Sequence, residues 1–159
     1  MAYHEIETQW MGKMQFNASV MGHTITMDAP VRAGGEDDGP IPKPLILTAL
    51  SGCSGMDVIA LLRKQDIYVD DLNMKLHGEL SKSQPMEYIS VHMIYEFKGA
   101  EAHKWQAAEA VNTSQEKICG VSSMLKKIMP VTWEIVYNNA LLFTNAKRED
   151  NTAQLLSVI

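Results

Sequence analysis

The chain has 159 residues, with 14 Lys+Arg against 19 Asp+Glu and a formal net charge of −5. Hydrophobic residues make up 46% and charged residues 21%, a globular balance that excludes an intrinsically disordered chain. The length suits one domain over residues 1–159; the acidic balance argues against a nucleic-acid partner, and the uninterrupted apolar stretches fall short of a membrane span.

The amino terminus, Met1-Ala2-Tyr3-His4-Glu5-Ile6-Glu7, has neither the basic flank nor the apolar run of a signal peptide, so a cytoplasmic location is expected. A first strand is expected near His4–Trp10. Met14, Phe16, Ala18 and Val20 then alternate with Gln15, Asn17 and Ser19. Met21-Gly22 makes a tight turn, and Ile25 and Met27 resume the alternation, which predicts a β-hairpin. Between Ala29 and Pro44 stand four prolines, three glycines and the acidic run Glu36-Asp37-Asp38. That composition is a loop, and its length suggests a function.

Pro44 suits the first turn of a helix, and no residue from Leu45 to Met56 is charged. A helix without a polar stripe is expected to be buried on all sides. One chain of this size hardly supplies that cover, so a two-fold homodimer is expected. Gly52 and Gly55, poor helix formers, suggest close approach of another backbone. Two strands follow, one on Leu72, Met74 and Leu76, the other on Ile89, Val91, Met93, Tyr95 and Phe97, with Pro85 at the turn. Ala102 to Val111 reads as a helix. Thr113-Ser114-Gln115-Glu116 has the capping-box pattern of a new helix running through Ile118, Val121, Leu125 and Ile128 to Pro130. Val131, Trp133, Ile135 and Tyr137 make a closing strand; the tail from Asn138 is unassigned, either a short helix or an exchanged arm. The order predicts an α+β fold with antiparallel hairpin connections.

Of the two cysteines, Cys53 sits among the small residues Ser51, Gly52, Ser54 and Gly55. Cys119 falls in the second turn of the capped helix, where the helix dipole favours a thiolate. On composition alone, two unrelated core cysteines are the commoner reading. They are not spaced as a CxxC motif, and their separation in sequence argues against structural zinc, so no metal and no cofactor are expected. Asp57, four residues beyond Cys53, is either a base or the end of the apolar segment. His77 and His92 fall on outward strand positions and read as solvated.

Two stretches carry a family resemblance. Pro44-Leu45-Ile46-Leu47-Thr48-Ala49-Leu50-Ser51-Gly52-Cys53-Ser54-Gly55-Met56-Asp57-Val58 resembles the signature helix of the OsmC/Ohr superfamily, the osmotically inducible and organic hydroperoxide resistance proteins. Ser114-Gln115-Glu116-Lys117-Ile118-Cys119-Gly120-Val121 is similar to the segment bearing that family's second cysteine. The likeness spans roughly Thr8 to Tyr137. It implies an intertwined homodimer in which antiparallel sheets enclose a buried central helix. It also implies reduction of organic hydroperoxides, with Cys53 peroxidatic, Cys119 resolving through a disulfide, and a dithiol or lipoylated protein as reductant. The family's activating arginine corresponds to Arg32 in one branch and to the position of Lys13 in another. The glutamate that holds it is missing where Pro42-Lys43-Pro44 stands, and a lysine cannot replace it. Two alternatives remain: an OsmC-like protein with little peroxidase activity that responds to redox state or binds a small ligand, and a hot-dog-type acyl-CoA thioesterase using Asp57.

Overall fold

The computed structural model describes residues 3–146, which form two compact units meeting in sequence after Ala49. In the first, strands β1 (Ile6–Gly12), β2 (Gln15–Val20) and β3 (His23–Met27) form an antiparallel sheet in that order. The β1 strand, expected near His4–Trp10, begins and ends two residues later. Its turn to β2 places Gly12 and Lys13 at φ 110° and 44°, while the Trp10 indole donates to the Lys13 carbonyl at 3.0 Å. The β2–β3 turn is the expected Met21-Gly22 pair, at φ 50° and 84°. Positive φ at both positions matches the turn to the twist of the strands.

The Pro/Gly-rich loop is built around one carboxylate. Asp28 is 3% exposed and accepts from the backbone N–H groups of Ala29 (2.7 Å), Glu36 (2.9 Å) and Asp38 (3.3 Å). The loop therefore folds back on its own first residues, with a single 3-10 turn at Val31–Ala33. A Cβ at Gly35 would lie 1.9 Å from the Ala29 carbonyl oxygen, and one at Gly39 2.5 Å from that of Thr26. The close backbone approach expected of Gly52 and Gly55 belongs to these loop glycines instead. In the helix, Gly52 and Gly55 face only the side chains of Met56 and Met74.

Helix α1 (Leu45–Arg63) is long and apolar enough to cross a membrane by length and composition. One stripe of it is buried, made by Leu50, Ser54, Val58 and Leu62 at one residue per turn. Burial on all sides is not met within the chain, since Met56 is 72% exposed and Ile46 is also exposed.

In the second unit, β4 (Asp71–Leu80) pairs antiparallel with β5 (Tyr88–Lys98), and β6 (Val131–Tyr137) lies parallel beside β5. The expectation of hairpins alone is thus corrected. A parallel neighbour needs a long crossover, which residues 99–130 supply. Facing residues Met93↔Trp133, Tyr95↔Ile135 and Phe97↔Tyr137 are all buried. A last strand, β7 (Ala140–Thr144), pairs with β6 through Asn138 and Asn139 at φ 47° and 67°. The tail is a strand from Ala140 to Thr144; the expectation of a short helix or exchanged arm otherwise falls on residues 147–159, which lie outside the described residues.

The crossover holds α2 (Lys104–Thr113), a π-helical turn at Ser114–Ile118, and α3 (Gly120–Leu125). Thr113 is helical (φ −64°, ψ −44°), so the capping-box pattern starts nothing; α2 runs straight on into the wider turn. The chain breaks instead at Cys119, whose extended backbone (φ −63°, ψ 106°) caps α3.

The three N–H donors, that of Glu36 foremost, hold the Asp28 carboxyl below its ordinary range. A lowered folded value means a stabilising contribution fully present above the unfolded pKa of about 4 and lost as pH falls through the folded value. Urea midpoints measured between about pH 6 and pH 2 should fall on acidification, and Asp28→Asn should remove part of that slope. An identical slope in the variant would show that the loop does not depend on this carboxylate.

Candidate active site

Helix α1 carries Cys53 and Asp57 four residues apart, hence on one face. Cys119 reaches them from the crossover. The π-helical turn closes with the Cys119 N–H on the Ser114 carbonyl at 2.8 Å, and the extended backbone there turns the sulfur inward. The two sulfurs and a carboxylate oxygen of Asp57 all lie within 4.8 Å of one another. Both thiols are free; Cys53 is half-buried and Cys119 is 2% exposed.

Beside the thiols lies a buried polar cluster. The Gln115 amide donates to the Tyr95 hydroxyl (2.7 Å) and to Ser54 Oγ (3.0 Å), while its carbonyl oxygen accepts from Ser122 Oγ (2.6 Å). Tyr95 and Ser54 hydroxyls are 2.6 Å apart, and Ser54 and Ser114 hydroxyls 3.0 Å. Ser114 Oγ donates to Asp57 Oδ2 at 3.2 Å. One direction satisfies every hydroxyl: Tyr95 donates to Ser54, Ser54 to Ser114, and Ser114 to Asp57. The chain of hydrogen bonds ends on the carboxylate beside the sulfurs.

Electrostatics separate the groups. Burial pushes the Tyr95 hydroxyl up to about 12, so it stays neutral. Burial likewise pushes the Cys119 thiol up to about 11, outweighing the Ser122 N–H that donates to its sulfur at 3.4 Å. The thiolate expected from a helix dipole at Cys119 is therefore corrected: desolvation wins over a short helix terminus. Lys126 donates to the backbone carbonyl of Gln115 (2.7 Å) and lies 4.5 Å from the Trp133 ring centroid. A cavity of about 450 Å³ opens on the Cys119 side, lined by Lys117, Ile118, Cys119, Lys126 and Lys127 among others.

Arg32, Lys13 and Lys43 belong to the amino-terminal unit, and His77 and His92 to the sheet of the second. Arg32 is exposed in the 3-10 turn of the amino-terminal unit. Lys13, in that same unit, pairs with Glu36. Lys43 is half-buried between Pro42 and Pro44. His77 is exposed as expected, whereas His92 is engaged, with Nδ1 2.9 Å from Thr132 Oγ1 and Nε2 3.7 Å from Glu134. Sequence reasoning missed Ser54, Tyr95, Gln115 and Ser122. A signal was present, because a hydroxyl on a wholly apolar inward stripe, such as Tyr95, must find a partner.

Residues 35–134 match the family model of OsmC-like proteins, and the chain belongs to that family. It is similar to protein YhfA of Escherichia coli K12, 30% identical over 135 residues that cover 83% of this chain and 98% of YhfA. A hypothetical protein from Aquifex aeolicus VF5 superposes with a TM-score of 0.70 at 27% identity, covering 86% of this chain and 98% of its own. An organic hydroperoxide resistance protein OsmC from Legionella pneumophila shares the fold, with a TM-score of 0.63 at 14% identity over 86% of this chain and 98% of that one. The fold is OsmC-like, with two cysteines brought together at its candidate site.

Replacing Gln115 with Leu keeps much of its volume but strips partners from Tyr95, Ser54 and Ser122. Each buried group left unpaired costs about 1–3 kcal/mol, so Gln115→Leu should lose about 2 kcal/mol or more in urea unfolding. A variant as stable as the parent would show that the cluster is not a stabilising network.

Proposed function

We propose that this OsmC-like protein reduces organic hydroperoxides through a two-cysteine cycle. The approach of Cys53, Cys119 and Asp57 to within 4.8 Å carries the reading. Cys53, the more accessible sulfur, attacks the hydroperoxide as its thiolate. The O–O bond breaks, the alcohol leaves with a proton, and Cys53 becomes a sulfenic acid. Cys119 then attacks that sulfur; the disulfide forms and water departs with the Cys119 proton. Asp57, oriented by Ser114, takes the proton from Cys53 and returns it to the departing oxygen. A dithiol, free or carried on a lipoylated protein, restores both thiols, and the lysine-lined cavity at Cys119 offers it a path.

The role of Arg32 as an activating cation rests on the family resemblance alone. A homodimer is supported by apolar side chains that the chain leaves uncovered, among them Met56 and Trp10, the latter 62% exposed. A cytoplasmic site of action suits a pair of thiols that must be reduced between turnovers. One observation favours a second reading, an OsmC-like redox-responsive or small-ligand-binding protein with little peroxidase activity. The two acids nearest Arg32 in sequence are both engaged, Asp28 by backbone N–H groups and Glu36 by Lys13.

Organic hydroperoxide consumption with a dithiol, run beside acyl-thioester hydrolysis, separates these readings. Cys53→Ser should abolish consumption, because a hydroxyl stays protonated where a thiol ionises. Cys119→Ser should complete one turnover and then stall with Cys53 advancing to the sulfinic acid. Arg32→Ala should slow the first step by about 10–100-fold, the size of one charge-assisted contact. Full multiple-turnover activity in either cysteine variant would overturn the cycle.

The oligomer is tested separately. Sedimentation at micromolar concentration should give a dimer; a stable folded monomer would remove that part of the proposal.

A further inference from the structure

The same three side chains have a second chemistry that does not depend on the peroxidase reading. We infer that Cys53, Cys119 and Asp57 form a three-donor site for a soft divalent metal ion, with zinc the natural occupant, and that metal binding and thiol oxidation exclude each other. The sequence argued against structural zinc because the cysteines are far apart along the chain. Folding removes that objection. Two donors come from one face of α1, four residues apart, and the third enters from the residue that caps α3.

The geometry fits the ion. Zinc holds thiolate sulfur at about 2.3 Å and carboxylate oxygen at about 2.0–2.2 Å, so neighbouring donors of a tetrahedral site stand roughly 3.3–3.8 Å apart. Here the three donors already lie within 4.8 Å of one another, and side-chain adjustment of about 1 Å closes the set. Two sulfurs and one oxygen favour zinc over magnesium or calcium, which take oxygen donors. Three protein ligands leave a fourth position for water or an exogenous ligand, the arrangement of an open rather than a purely structural site.

The outer contacts match those that orient metal ligands. Ser114 Oγ fixes one oxygen of Asp57 at 3.2 Å and leaves the other available. The Ser122 N–H donates to Cys119 Sγ at 3.4 Å, a contact that persists on a metal thiolate. Binding converts two thiols to thiolates and releases two protons, giving a complex of net charge −1. The metal then draws charge from both sulfurs and holds them in place, which lowers their nucleophilicity toward a peroxide and keeps them from bonding to each other. Metal occupancy is thus a reversible block on the thiol pair.

The test is anaerobic titration of the reduced full-length protein with Co²⁺, followed by displacement with Zn²⁺. One Co²⁺ per chain should produce a near-ultraviolet thiolate-to-cobalt band that Zn²⁺ abolishes. Cys53→Ser and Cys119→Ser should each lose site binding. Asp57→Asn should weaken it by at least about tenfold, since even outer-shell losses cost 10–100-fold. A second measurement uses the unaltered protein, in which Zn²⁺ should slow alkylation of both thiols at least about tenfold if the sulfurs are ligands. Absence of the cobalt band, binding that survives both cysteine substitutions, or an unchanged alkylation rate would each overturn the proposal. Because none of these readouts involves peroxide, a protein inactive in the hydroperoxide assay that still shows the band would fail the proposed function and keep the metal site.

Discussion

A primary amide cut off from water must meet all its hydrogen bonds within the protein, and Gln115 does so with three hydroxyl groups from three elements. Ser54 belongs to α1, Tyr95 to β5 and Ser122 to α3. The amide therefore ties the central helix, the sheet and the crossover at one point. A mispositioned crossover would leave several buried polar groups unpaired, each at a penalty comparable to a sizeable share of a domain's net stability. The cluster makes the crossover's conformation specific, where apolar packing alone would tolerate sliding. Lys126 reinforces the arrangement by donating to the backbone carbonyl of Gln115.

That specificity is what sets the sulfurs together. Cys119 follows the π-helical turn whose first two residues, Ser114 and Gln115, are anchored in the cluster. The extra width of such a turn moves the next residue out of helical register, and the extended backbone at Cys119 then points its side chain toward α1. The same hydrogen bonds that fix the turn end on Asp57 through Ser114. Position and proton handling are therefore linked. Two thiols and a carboxylate held this way suit either disulfide chemistry or a soft metal ion, and the state of the thiols decides between them.

The two units use carboxylates in contrasting ways. Asp28 is saturated by backbone N–H groups, which lower its proton affinity and make it a structural anchor for a loop with little other regular structure. Asp57 accepts from the Ser114 hydroxyl on Oδ2, and a carboxylate with one such donor among the described residues keeps lone pairs for the sulfurs' side. An acid whose acceptors are all occupied organises the chain around it; one with capacity left over can take part in chemistry.

Much of this was legible in the sequence. Period-2 alternation marked the β2–β3 hairpin and the inward stripe from Val91 to Phe97, and the uncharged run after Pro44 marked the central helix. Two separated cysteine segments pointed to the family. These features are local, because periodicity, turn residues and side-chain polarity act within a few positions of one another. The parallel placement of β6, the π-helical turn in place of a capped helix, and the neutral state of Cys119 were not legible. Each depends on partners distant along the chain. Thr113 to Glu116 has the residues of a helix start, yet the buried requirements of Gln115 and Ser114 overrode that local preference. The sequence by itself determined which segments become strand and helix and which residues bear sulfur. Only the tertiary structure decided that the two sulfurs and Asp57 meet, because burial and hydrogen-bond satisfaction are properties of the folded whole.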